Sequence, residues 1–93
     1  MLTFVIHVRR TPEVLARVVL LFHARRVEIG SLVAGLTERP DTLRIEVTVE
    51  IDQDKGILIE ANLSKLVDVL LIEKNVTEKG AMRQATEDGH RES

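Results

Sequence analysis

The stretch RRTPEVLARVVLLF, residues 9–22, holds the densest set of reactive groups near the start of the chain. Arg10, Thr11 and Glu13 supply a guanidinium, a hydroxyl and a carboxylate around Pro12. Either Arg10 and Glu13 hold a ligand, or they mark the entrance of a helix. Thr11 can cap orphan amides, Pro12 fits the first helical position, and Glu13 places a negative charge at the positive end of a helix dipole. Elsewhere the chemistry is sparse. His7, His23 and His90 fall in separate segments, and with no cysteine the chain lacks both a thiol nucleophile and the usual metal-ligand spacing. Ser31, Ser64 and Ser93 sit in no nucleophile motif, and no glycine-rich phosphate loop occurs. Glu46 and Glu50 read as solvated neighbours of Arg44 on a strand rather than as an acid/base pair. No catalytic set emerges, and the chain reads as non-enzymatic on its own.

The elements that would carry these residues follow from periodicity. Leu2, Phe4, Ile6 and Val8 alternate with Thr3, Val5 and His7, the pattern of a half-buried strand. A helix from the Thr11 entrance to about Ala24 or Arg25 places Leu15, Val18, Val19 and Phe22 on one side and Glu13, Arg17 and Ala24 opposite. Leu20 is left exposed in that scheme, as a contact residue or as one scattered surface leucine. A second strand spans Val27 to Leu36, and its apolar phase slips at Gly30-Ser31, which predicts a bulge. TERPD, residues 37–41, is turn chemistry. Leu43, Ile45, Val47, Val49 and Ile51 alternate with polar residues in a third strand. A second helix runs from about Lys55 to Ser64, weakened in its first turn by Gly56 at up to about 1 kcal/mol relative to alanine. Leu66 to Lys74 is a fourth strand, and the polar residues from Asn75 to Ser93 predict a flexible tail.

Composition bounds the class. The 93 residues are 44% hydrophobic and 30% charged, enough for one small domain, expected over residues 1–74. With two phenylalanines and neither Trp nor Tyr, the core must be aliphatic. The apolar runs fall well short of the roughly 20 residues of a membrane span, no signal pattern stands at the start, and a cytoplasmic protein without a membrane partner is expected. The net charge of -2 gives no footprint for nucleic acid. A domain of this size buries only about 60% of its chain surface, which favours oligomerisation.

The order βαββαβ with right-handed crossovers predicts an α+β, ferredoxin-like fold, with both helices on one face of a four-stranded antiparallel sheet. The opposite face should be wet, carrying Thr3, His7, Arg44, Glu46, Thr48 and Glu50. The same topology serves RNA-recognition modules, which stack bases on aromatics of the central strands. Here those positions, Val5 included, offer no Phe, Tyr or Trp ring and two carboxylates that would repel phosphate, so RNA binding is disfavoured.

TPEVLARVVLLFHARRVEIGSL, followed by NLSKLVDVLLIE, resembles the ACT domain of the small, regulatory subunit of acetolactate synthase (acetohydroxyacid synthase). KLVDVL, residues 65–70, is the more specific half, and the resemblance covers roughly Leu2 to Lys74. Ending soon after the fourth strand, the chain is similar to short members without a second C-terminal domain. TPEVLARV looks closest to the isozyme II type, which valine does not inhibit. The resemblance implies a homodimer joined through strand two and helix one, with Leu20, Ser31 and Leu32 at the contact. It also implies a catalytic large subunit as partner, carrying thiamine diphosphate, FAD and magnesium, with no cofactor or metal on this chain. A branched-chain amino-acid effector would sit on the loop after strand one, Arg10, Thr11, Pro12, Glu13, Val14 and Leu15, together with the start of strand two across the dimer, Glu28, Ile29 and Gly30. Three of these positions depart from the valine-binding pattern: Arg10 and Glu28 stand in place of asparagines, and Glu13 in place of a glycine. The side chain of Glu13 would fill the space a glycine leaves and its charge would oppose a ligand carboxylate. Activation without strong valine feedback is therefore expected; a free-standing ACT amino-acid sensor for another enzyme is the alternative.

Overall fold

The computed structural model describes residues 1–76. They form β1 (Leu2–Arg9), α1 (Val14–Ala24), β2 (Ile29–Leu36), β3 (Thr42–Val49), α2 (Gln53–Ser64) and β4 (Val69–Val76). The four strands make one antiparallel sheet in the order β2-β3-β1-β4, so the two longest alternating runs are central and β2 and β4 are the edges. Both helices cover one face. The core between them and the sheet is aliphatic apart from Phe4 and Phe22, which meet edge to face at 5.7 Å between ring centroids.

The buried stripe of α1 is Val14, Val18 and Phe22; of the expected set Val18 and Phe22 are buried and Leu15 and Val19 are half-buried, with Leu15 and Leu21 packed partly against the core. Helix geometry begins at Val14, after a backbone turn in which Val14 N–H donates to the Thr11 carbonyl at 3.3 Å. Thr11 makes no side-chain cap, and its hydroxyl is buried without a partner. At the other end, Arg26 N–H donates to the His23 carbonyl at 2.9 Å and Val27 N–H to that of Phe22 at 3.0 Å, a Schellman closure. It places Arg26 at φ 59, a left-handed conformation that usually calls for glycine.

The bulge in β2 stands where the phase slip predicts it: Ile29 pairs with Val49 and Ser31 with Thr48, leaving Gly30 as the extra residue. Val27, expected in that strand, is buried ahead of it. The second helix starts earlier than expected, because Asp52 accepts a hydrogen bond from Lys55 N–H at 2.8 Å and caps it. The fourth strand lies later in the chain than expected: Leu66 to Asp68 are spent in a turn, and pairing with β1 continues through Asn75 to Val76. The expected tail otherwise lies outside the described residues.

The open face of the sheet is less wet than expected. Thr48 is buried and bonds Thr3 hydroxyl to hydroxyl at 3.1 Å, and Val5 is buried as well. Both sit on central strands and are flanked across the sheet, Thr48 by Ser31 and Thr3, Val5 by Glu46 and Glu73. Arg44 and Glu46 pair on this face at 2.6 Å, and Glu50 falls just beyond the end of β3.

Candidate functional site

The loop between β1 and α1, residues 10–13, lies at the same end of the sheet as the β2–β3 turn and the α2–β4 turn, and it is tied to both. Arg9 N–H donates to the Asp68 carbonyl and Arg10 N–H to that of Asp41, each at 2.8 Å. The Arg10 guanidinium reaches the Pro40 carbonyl at 3.4 Å. Arg17, in the second turn of α1, stands between Glu13 at 3.7 Å and Asp68 at 3.9 Å. Arg10 and Glu13 thus have partners inside the chain. Both ion pairs of Arg17 are long, and Arg17 and Glu13 are half-exposed, which makes these pairs weak contributors to stability. Pro12 is exposed, Val14 is part of the core, and Leu15 is half-buried.

Glu28, Ile29 and Gly30 stand at the opposite end of the sheet. Ile29 pairs with Val49, which also pairs with Leu2, whereas the loop follows Arg9 at the far end of β1. At the rise of an extended strand this separation is roughly 20 Å. The two groups of residues implied as one effector site are not brought together within a chain. Glu28 precedes β2 and is exposed; Ile29 to Ser31 line a cleft of about 710 Å3 with Arg26, Glu28 and Lys55. A β-carbon at Gly30 would stand 3.2 Å from the Thr48 carbonyl oxygen, a close approach that favours glycine.

The edge strand β2 has the sequence IGSLVAGL and carries no charge over its whole length. Edge strands are commonly protected by charged residues, and β4, at the other edge, has Glu73 and Lys74. Leu32 packs partly against the core, Ser31 is exposed, and Val33 and Leu36 are large apolar residues left 61% and 69% exposed. Leu20 on α1 is 60% exposed, as its place in the helix predicts. Among the described residues no group of three or more His, Asp or Glu could hold a metal ion, and no helix is long and apolar enough to cross a membrane.

The ACT domain model matches residues 10–72, more than half of the chain. The chain belongs to the ACT domain family. It is 35% identical over 82 residues to a probable acetolactate synthase small subunit of Archaeoglobus fulgidus, covering 88% of this chain and 51% of that protein. It is 33% identical over 82 residues to the acetolactate synthase small subunit of Mycolicibacterium smegmatis, covering 88% and 48%. This ACT chain therefore spans about half the length of the curated relatives it matches. Among solved structures, the acetolactate synthase small subunit from Thermotoga maritima superposes with a TM-score of 0.73 at 29% identity, over 78% of this chain and 45% of that one. The ACT domain from GTP pyrophosphokinase of Chlorobium tepidum superposes at 0.69 with 12% identity, over 80% and 95%, a likeness of fold alone. The ferredoxin-like arrangement expected from the element order is thus the fold found.

Candidate contacts that the sequence did not single out lie on the edges. Val33 and Leu36 are apolar residues in strand two like many others, and only the sheet order shows that nothing among the described residues covers them.

Proposed function

We propose that this chain is a non-catalytic, regulatory and activating subunit of acetolactate synthase, acting on a separate catalytic large subunit. The observation that carries this reading is the similarity to acetolactate synthase small subunits at 33% and 35% identity over 88% of the chain. The homodimer joined by β2 and α1 is part of the same reading. It is supported by the uncharged edge strand, since an unpaired row of N–H and C=O groups flanked by Val33 and Leu36 invites antiparallel pairing with a second copy. An antiparallel β2 pair also places the start of one β2 near the β1–α1 loop end of its neighbour, which a single chain does not do.

The effector loop is altered in this reading. Glu13 stands 3.7 Å from Arg17 and Arg10 reaches the Pro40 carbonyl, and Glu13 sets volume and negative charge where the resemblance calls for a glycine. The subunit accordingly raises the activity of its partner with weak or no valine feedback. Reconstitution tests it: acetolactate formation by the catalytic large subunit is measured with and without this chain, and the expected result is a saturable rise. No change in rate and no association would sink the proposal and favour a free-standing ACT sensor serving another enzyme.

A further inference from the structure

The last turn of α1 and the first two turns of α2 flank a cleft of about 320 Å3 lined by Ala24, Arg25, Arg26, Lys55, Leu58 and Ile59. Three of these residues are cations and none is an acid. In a chain of 13 basic and 15 acidic residues, that is a local reversal of the overall balance. Arg17, Arg39, Arg44 and Lys74 each stand within 4.0 Å of a carboxylate. Among the described residues, Arg25, Arg26 and Lys55 have no such ion pair. Glu28 and Glu50 border the adjoining cleft of about 710 Å3 rather than this one, and Asp52 turns a carboxylate oxygen to the Lys55 amide as the cap of α2.

Two features gather these cations. The Arg25 guanidinium donates to Asn62 Oδ1 at 2.8 Å, and Asn62 Nδ2 donates to the Leu58 carbonyl at 2.7 Å, so the arginine is tied across to α2. Arg26 is held at φ 59 by the closure of α1, in a conformation that glycine would adopt without strain and without charge. The carbonyl end of α1 offsets only part of the repulsion among three like charges. An oxyanion seated between them neutralises the remainder and accepts charge-assisted hydrogen bonds. The rest of the lining is aliphatic: Ile59 is buried, and Leu58 is 62% exposed, leaving apolar surface that a bare inorganic ion does not cover.

From this arrangement we infer that the cleft binds a small aliphatic carboxylate that carries no ammonium group, with its charged end among Arg25, Arg26 and Lys55 and its alkyl end against Leu58 and Ile59. Arginine and lysine side chains are donors only, so the ligand groups that meet them are acceptors. An amino acid of the same carbon skeleton is rejected, because its ammonium enters a field of three positive charges with no carboxylate in the lining to receive it. The cleft lies at the end of α1, whereas the loop of residues 10–13 precedes its start. The inference is independent of the proposed function, since binding is read on this chain without a catalytic partner.

The test is a titration of the full chain at constant ionic strength with α-ketoisovalerate, valine and inorganic phosphate, followed by amide chemical shifts. α-Ketoisovalerate has the carbon skeleton of valine with a carbonyl in place of the amine. It gives saturable shifts centred on Arg25, Arg26 and Lys55, and valine gives none there. Arg26→Gly and Lys55→Gln each weaken α-ketoisovalerate about three- to tenfold. Folding is not at stake in Arg26→Gly, because glycine suits that backbone position, and in Lys55→Gln the amide that Asp52 caps is kept. Absence of saturable shifts with α-ketoisovalerate, equal shifts with valine, or binding unaffected by both substitutions overturns the inference. Inorganic phosphate binding as tightly as α-ketoisovalerate overturns it too, because the aliphatic lining then contributes nothing.

Discussion

A β-carbon on Gly56 would overlap Leu2 Cδ1, so α2 lies against β1 at a distance that only glycine permits with Leu2 in its place. Gly56 is buried and Leu2 is 2% exposed, which leaves the leucine little room to turn aside. Gly56→Ala should therefore destabilise the fold by about 1–2 kcal/mol in urea denaturation, overpacking outweighing the gain in helix propensity. In a Leu2→Ala background the same substitution should become stabilising by up to about 1 kcal/mol, because the overlap is gone and the propensity gain remains. Equal effects in the two backgrounds would refute the steric explanation.

Arg26 carries the second prediction. Its φ of 59 places a bulky side chain in the left-handed region at the end of α1. Arg26→Gly keeps both Schellman bonds and removes the strain, so stability should rise by about 1 kcal/mol. For a domain of this size that corresponds to a rise of roughly 4–8 °C in Tm, read by circular dichroism. A lower Tm would mean that the arginine side chain contributes more than its backbone costs.

How far the sequence could be read depends on which physical signal each feature leaves. The Gly30 bulge is legible because Ile29 and Leu32 face the same side at an odd spacing, and only an extra residue reconciles them. The bulge at Leu70, where Leu71 pairs with His7 and Val69 with Val8, leaves no such trace, since Val69, Leu70, Leu71 and Ile72 are all apolar and an unbroken apolar run has no phase to slip. Thr11 and Pro12 mark the neighbourhood of a helix start correctly, yet the hydroxyl is unused because a main-chain bond closes that turn. Gly56 shows in the sequence only its cost to the helix; its fit against Leu2 is a long-range contact. The candidate effector residues were legible only through resemblance, since their two groups lie at opposite ends of one sheet.

Val33→Lys tests the pairing of β2. Val33 is 61% exposed on the uncharged edge strand, near its middle, so an antiparallel self-pairing brings the two introduced lysines close together. The proposed pairing predicts that the wild type elutes as a dimer and the variant as a monomer, with secondary structure unchanged. Coelution of the two at every concentration would remove β2 as the dimer contact.

The proposed alteration of the β1–α1 loop makes a calorimetric prediction. Titration with millimolar valine, leucine or isoleucine should give no saturable heat, because Glu13 carries both volume and negative charge at the entrance of α1. Saturable binding at one site per chain or per dimer would show that a branched-chain amino acid is still accepted.

The bonds from Arg9 to Asp68 and from Arg10 to Asp41, with Arg17 reaching both Glu13 and Asp68, fasten three chain reversals into one unit. Asp68 directly precedes β4 and stands two residues from Leu70. Glu13 and Asp68 thus share Arg17 as a common partner, which sets the charge at the entrance of α1 beside the residue that opens β4. By reciprocity, any partner that shifts the beginning of β4 alters the free energy of whatever the β1–α1 loop holds, by the same amount.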